Sequence, residues 1–306
     1  MPRPLVSAII DNYNYARFLP DAIDSALNQT YPNLEVIVVD DGSTDESPAI
    51  IRGYGARITP ILKENGGQAS AFNAGFAASR GELVAFLDAD DVWEPDRIAD
   101  LVTIAEAHPD ANLIYNQLQN IDAEGRPFGS PWPRNPTSGS IERRTLQSGG
   151  YWLYPPTSGL CFRRRLLERI MDVPAYKDGH LADSYLADIA PFTGPVVGIR
   201  KPLTRYRHHG SNHWESRSMA ARAEVYEVRV ARLNDALARL SSPHRVRLED
   251  HWPYQRIRYV HRLGPTPSFV QLTLLAYRFP AEAGLVPGLR RVAGFWKNIA
   301  ETRWRR

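Results

Sequence analysis

One cysteine, Cys161, stands in 306 residues. A disulfide within the chain is thereby excluded, and so is a zinc site built on several thiolates. Long apolar runs are missing as well, since none reaches the ~20 residues of a membrane-spanning helix. The opening MPRPLVSAII lacks the extended apolar segment and cleavage site of a secretory signal, so a cytoplasmic setting is expected. What is present suffices for a core: 43% of residues are apolar, enough for one large domain or a domain with an appendage. Charge is unevenly spread. Residues 1–214 carry 20 Lys/Arg against 26 Asp/Glu, while residues 215–306 carry 17 against 8. Two parts with different tasks are expected, 1–214 and a basic, mainly helical extension over 215–306.

Along the first part, LVSAII (5–10) and LEVIVVDDGS (34–43) read as buried strands that end in polar residues. Between them, Ala22, Ile23, Ala26 and Leu27 recur at helical spacing and stop before Pro32. SPAIIRGYG predicts a second helix, ARITPILKEN a third strand, QASAFNAGFAASRG a third helix and ELVAFL a fourth strand. EPDRIADLVTIAEAHP then places Pro95 in a first helical turn and Ile98, Leu101, Val102 and Ala105 on one face. Alternating strands and helices predict a Rossmann-like α/β fold, a mostly parallel sheet flanked by helices, with ligands at the C-terminal strand ends. Asp11, Asp40, Asp41 and Asp88 to Asp91 fall along that edge. From about 110 the pattern is irregular and reads as loops and short strands, and helices resume at 217–240 and 244–262.

The stretch VAFLDADDVW (84–93) runs from an apolar strand into Asp88, Asp90 and Asp91. Carboxylates on one short loop suit a hard dication, Mn²⁺ or Mg²⁺, with open positions for phosphate oxygens. Helix capping would not need three acids several residues upstream. A calcium-binding EF-hand is not expected, because Trp93 stands where its turn needs glycine.

VSAIIDNYNYARFLPDAIDSALNQTYPNLEVIVVDDGSTDES, followed by NGGQASAFNAGFAASRGELVAFLDADDVWEPDRI, resembles the N-terminal half of the inverting family 2 glycosyltransferases with the GT-A fold. The resemblance is dense over about residues 4–100 and departs at Asp11 and Asn12, where members usually carry proline and threonine. It implies that Tyr13 lies against a nucleotide base, that Asp41 accepts a hydrogen bond from it, and that Asp11 contacts base or ribose. Asp90 would bind ribose, Asp91 the metal, and Asp88 would support the loop; Asn65 and Asn73 match a further motif. Because Tyr13 and Asp41 match uracil-reading positions, a UDP-sugar donor is implied. In KDGHLADSYLADIAPFTG the motif that supplies the base keeps Asp183 but has Ala182 in place of Glu, with Asp188 as the fallback. YRHHGSN puts His209 where an imidazole would complete the metal shell or meet the diphosphate, and Arg207 where it would contact phosphate.

The implied acceptor is a glycan or lipid-linked sugar, in cell-surface polysaccharide or glycoconjugate synthesis. Processive members carry Gln-x-x-Arg-Trp; here Ala300 precedes Arg303-Trp304, so single transfers are expected. Two other readings compete. VAFLDADDV is also similar to the signature of haloacid-dehalogenase-like phosphatases, with Asp88 as nucleophile, and a non-catalytic nucleotide-binding module would use the same edge. The basic, aromatic 215–306 segment permits peripheral contact with an anionic membrane at the inner face, or packing and homo-oligomer formation. No nucleic-acid motif accompanies it, so nucleic acid is not an expected partner.

Overall fold

Apolar runs that break into acids become parallel strands with helices on both faces. The computed structural model describes residues 3–176, 181–210, 217–279 and 285–304, without the side chains of 285–287 and 300–304. The 177–180 part of KDGHLADSYLADIAPFTG, His213 and Trp214, and the side chains of Ala300, Arg303 and Trp304 lie outside the described residues. Contacts divide the chain into two units, residues 1–140 with 154–210, and residues 141–153 with 211–306.

In the first unit, β1 (Val6–Asn12), α1 (Leu19–Leu27), β2 (Leu34–Asp40), α2 (Ser47–Gly53), β3 (Thr59–Leu62), α3 (Gln68–Ala78) and β4 (Leu83–Asp88) alternate. β5 (Val92–Trp93), α4 (Arg97–Ala107), β6 (Leu113–Ile121) and β7 (Pro127–Trp132) follow. After α5 (Glu142–Gln147), which groups with the second unit, come β8 (Leu160–Arg163), α6 (Arg164–Ile170), α7 (Ala182–Ile189) and β9 (Val196–Arg207). The nine strands make one sheet in the order β3-β2-β1-β4-β8-β6-β9-β5, with β7 beside β6. β3, β2, β1 and β4 are parallel; β8 runs antiparallel between β4 and β6, and β9 is parallel to β6.

Successive residues of β1 serve opposite layers, as the two-residue period of a strand requires. Ile10 packs with Leu19, Ile23, Ile98 and Leu101 in the layer of α1 and α4. Ile9 faces α3, where Gly75 allows close approach: a Cβ there would sit 2.5 Å from Ile9 Cγ2. The register sets Asp11 opposite Asp88 and Asn12 opposite Asp40, which brings the acids to one edge. Two expectations need correction. The helix after the acids starts at Arg97, past Pro95, because a turn closed by Arg97 N–H on the Glu94 carbonyl intervenes. The region from 110 is not mainly loops, since β6 is a nine-residue strand inside the sheet and β9 runs for twelve residues.

The second unit is helical, with α8 (Met219–Arg239), α9 (Trp252–His261), α10 (Phe269–Arg278) and α11 (Leu285–Trp304) joining α5. Segment 141–153, assigned by sequence to the first part, groups here. Gly149 has φ +66°, and a Cβ on it would lie 2.4 Å from the Arg247 carbonyl oxygen, so only glycine fits. One core cluster holds Trp252, Leu272, Ala276, Phe279 and Phe295, and a second holds Ala223, Tyr226, Tyr254 and Ile257. Among the described residues no helix is long and apolar enough to cross a membrane.

Candidate active site

β4 delivers Asp88 to the sheet edge and a turn closed by Asp91 N–H on the Asp88 carbonyl carries Asp90 and Asp91. One carboxylate oxygen from each of Asp88, Asp90 and Asp91 lies within 4.8 Å of the others. Asp91 is fully buried, and its Oδ1 accepts from the Arg207 backbone N–H at 2.8 Å. Ser158, from the turn before β8, accepts the Asp88 N–H on its hydroxyl at 3.0 Å, and that hydroxyl favours the ionised form of Asp91. Gln68, the first residue of α3, donates to Asp88 Oδ1 at 3.3 Å and favours the ionised form of Asp11.

Crowding of buried acids makes ionisation costly. Burial, then the charge of Asp90, raises Asp11 to about 7. Burial followed by the neighbouring carboxylates holds Asp88 and Asp91 well above the usual range. The Tyr15 phenol is raised by burial and by all four acids. Among the described residues, Asp91 Oδ2 and Asp11 Oδ1 are buried without a hydrogen-bond partner. Converging hard oxygens, two of them unpartnered, fit a divalent cation.

Behind the acids, Arg207 is turned inward. Its Nε donates to the Asp90 carbonyl at 2.8 Å, Nη1 to the Ala123 carbonyl at 3.1 Å and Nη2 to Asp21 at 2.9 Å. The guanidinium lies 4.8 Å above the Phe18 ring. Arg207 therefore holds the acid turn, which corrects the expectation that it reaches a phosphate. His209 Nε2 is 2.8 Å from Asp90 Oδ2, and the imidazole is flanked by Tyr15 and Phe18 with ring centroids at 5.5 and 5.2 Å.

At the β1 and β2 ends, Tyr13 stands 47% exposed on the loop after Asp11. Asp41 is buried; Lys63 Nζ donates to its Oδ1 at 2.6 Å, the Gly66 N–H to both oxygens and the Gly67 N–H to Oδ2 at 2.6 Å. Asn65 donates to the Asp41 carbonyl at 2.9 Å. The Asp41 carboxylate thus fixes the 63–67 loop. Asn12, one of the two departures from the family pattern, bonds Asp40 and Ser43, while Asp40 accepts the Ser43 N–H as a turn cap. Asn73 is tied to both backbone groups of Val173.

Asp183 sits in the first turn of α7, partly exposed, and its charge contributes to raising Asp88. Its Oδ1 accepts the Ser184 N–H at 2.6 Å. The residue before that helix, Leu181, has φ +77°, a left-handed conformation that costs a side-chain-bearing residue about 1–2 kcal/mol. Asp188 is buried under the Tyr154 hydroxyl at 3.0 Å. The structure so gathers Asp11, Asp88, Asp90, Asp91 and His209 into one cluster with Asp183 within electrostatic reach, and puts Asp41 and Asn65 together in the loop beside it. Sequence reasoning missed Gln68 and Ser158. Ser158 lies 70 residues from Asp88, and nothing in PPTSGL marks it.

The sequence model described as Glycosyl transferase family 2 matches residues 7–171. An uncharacterized glycosyltransferase of Nostoc is 37% identical over 268 residues, covering 84% of this chain and 83% of the relative. Among solved structures, Staphylococcus aureus TarS residues 1–349 in complex with UDP-GlcNAc superposes with a TM-score of 0.59 at 18% identity, covering 98% of this chain and 92% of the other. The mannosyltransferase PcManGT of Pyrobaculum calidifontis, in complex with GDP-Man and Mn²⁺, gives 0.56 at 20% identity over 99% and 85%. The likeness to these two is one of fold. The phosphatase reading has no support here, since its signature belongs on a first strand and β4 is the fourth in chain order.

Proposed function

The chain belongs to glycosyl transferase family 2, and from that premise we propose an inverting transfer of a sugar from a UDP-sugar to an acceptor hydroxyl. It is a glycosyltransferase with the GT-A fold. The observation that carries the finer reading is the convergence of Asp88, Asp90 and Asp91 at the end of β4. Asp91, with Asp88 and Asp90 beside it, would hold Mn²⁺ or Mg²⁺, and His209, on Asp90, would add a nitrogen donor. Bound there, such an ion would supply positive charge against the departing diphosphate.

The remaining work falls to the chain itself. Tyr13, exposed on its loop, stacks on the base, and Asp41, fixed by Lys63, Gly66 and Gly67, meets its polar edge. Asp11 and Asp90 orient the ribose. Asp183 accepts the acceptor's hydroxyl proton as that oxygen bonds to the anomeric carbon, while the bond from that carbon to the diphosphate oxygen breaks on the opposite face. The configuration inverts because attack and departure occur on opposite faces. A glycan or lipid-linked acceptor, used once per encounter in surface polysaccharide or glycoconjugate synthesis, completes the proposal.

Titration calorimetry with UDP and Mn²⁺ tests the metal assignment: Asp91→Ala should abolish metal-dependent binding, and unchanged affinity would sink it. Asp183→Asn should keep UDP binding yet lower turnover of a sugar nucleotide about 10²–10⁴-fold, the usual worth of a general base. Turnover near wild type would move the base elsewhere.

A further inference from the structure

α10 is apolar on two opposite faces. Leu272, Ala276 and Phe279 point inward and are buried with Trp252 and Phe295. Val270, Leu274 and Tyr277 repeat at the same four- and three-residue spacing on the other side, 65%, 47% and 42% exposed. A surface helix of a soluble protein normally carries polar residues there. The outward stripe continues onto α11 through Leu289 and Trp296, each more than half exposed. α10 and α11 lie close together: a Cβ on Gly288 would come within 2.7 Å of the Tyr277 carbonyl oxygen. The Trp296 ring lies 5.8 Å from that of Phe269, and its Nε1 donates to Thr273 Oγ1 at 3.3 Å. Arg291 closes the end of α10 by donating to the Ala276 and Phe279 carbonyls.

Charge selects the occupant. Residues 251–299 contain seven Lys/Arg and a single acid. Arg278, Arg290 and Lys297 are exposed on the two helices that carry the apolar stripe. A two-fold contact between copies would set these cations against their own counterparts, and a neutral apolar partner would leave them unmatched. An anionic bilayer takes both features, the aliphatic and aromatic side chains entering the headgroup boundary and the cations meeting lipid phosphates. We propose that the α10–α11 face docks on an anionic membrane surface, with the helices lying in its plane. The inference is independent of the transfer reaction, because none of these residues belongs to the acid site.

The full chain is sedimented with vesicles of phosphatidylglycerol and phosphatidylcholine, and with phosphatidylcholine alone, at low and high salt. Binding is expected only to the anionic vesicles and should weaken steeply with salt. Arg290→Glu/Lys297→Glu should lower partitioning at least about fivefold per cation, and Val270→Asp/Leu274→Asp at least about tenfold. Both variants change exposed positions, and circular dichroism checks that they fold. Failure of the wild type to bind anionic vesicles overturns the proposal, as does equal binding by Val270→Asp/Leu274→Asp. A dimer in light scattering that Leu274→Asp dissolves, without vesicle binding, assigns the face to a second copy instead.

Discussion

Among the described residues, the Arg207 guanidinium hydrogen-bonds to three separate segments, a geometry that the single ammonium of lysine cannot reproduce. Arg207→Lys is therefore expected to cost about 1.5–3 kcal/mol in denaturant unfolding and to weaken UDP binding with Mn²⁺, by releasing the Asp90 carbonyl. Arg205, whose pair with Glu94 is well exposed, serves as the contrast: Arg205→Ala should change stability by less than about 1 kcal/mol. At the start of α9, burial and then the charge of Arg229 push His251 down to about 3, and its Nδ1 accepts the Tyr254 N–H as a helix cap. The folded pKa lies below that of the unfolded chain, so the neutral imidazole's stabilisation is complete above about pH 6.5 and declines on acidification by about 1.4 kcal/mol per pH unit. The raised carboxyls of Asp11, Asp88 and Asp91 pull the opposite way on acidification, so the loss is read as the difference between wild type and His251→Asn, which can still cap, in denaturant unfolding at pH 7.5 and 5. An unchanged slope in that variant would exclude His251 as the source.

Among the elements, α3 packs with little freedom. Alanine favours a helix over glycine by about 1 kcal/mol, yet a Cβ at Gly75 would meet Ile9 at 2.5 Å and Val39 at 3.2 Å. Overpacking should win, and Gly75→Ala is expected to destabilise by about 1–3 kcal/mol, read from the denaturation midpoint; a gain in stability would contradict the tight contact. The strands this helix covers were legible as sequence because both their faces are buried and their residues run apolar, as in IVV of β2. β6 was not legible. Its LIYNQLQNI carries Asn116 and Gln117 into the interior, where Asn116 accepts from Arg97 and donates to Thr204, and Gln117 donates to the Pro133 carbonyl. Polar side chains matched by distant partners erase the periodicity that marks a strand. The acid site divides the same way. Three acids after an apolar run announce themselves, whereas the partners that hold them, Ser158 and Arg207, act across 70 and 116 residues.

At the scale of the whole chain, the charge boundary near 214 and the packing boundary do not coincide, because 141–153 groups with the helical unit. Trp152 and Ile141 are buried, and Gly149 fits against the 247–251 backbone. A fragment ending at residue 214 deprives this segment of its partners and is expected to aggregate. Soluble yield and size-exclusion profile, compared with the full chain, check it, and a monodisperse fragment would show that 141–153 can repack. The bond from the Arg207 N–H to Asp91 has a consequence in time. The strand that shapes the acid turn is made 116 residues after it, so at about 5–20 residues per second the ribosome needs roughly 6–23 s to supply it. Through that interval the nascent chain displays its carboxylates without the backbone donor that orients Asp91. The cation binding proposed for this turn would therefore become possible only late in translation, and a chain released early would bear the motif without the formed turn.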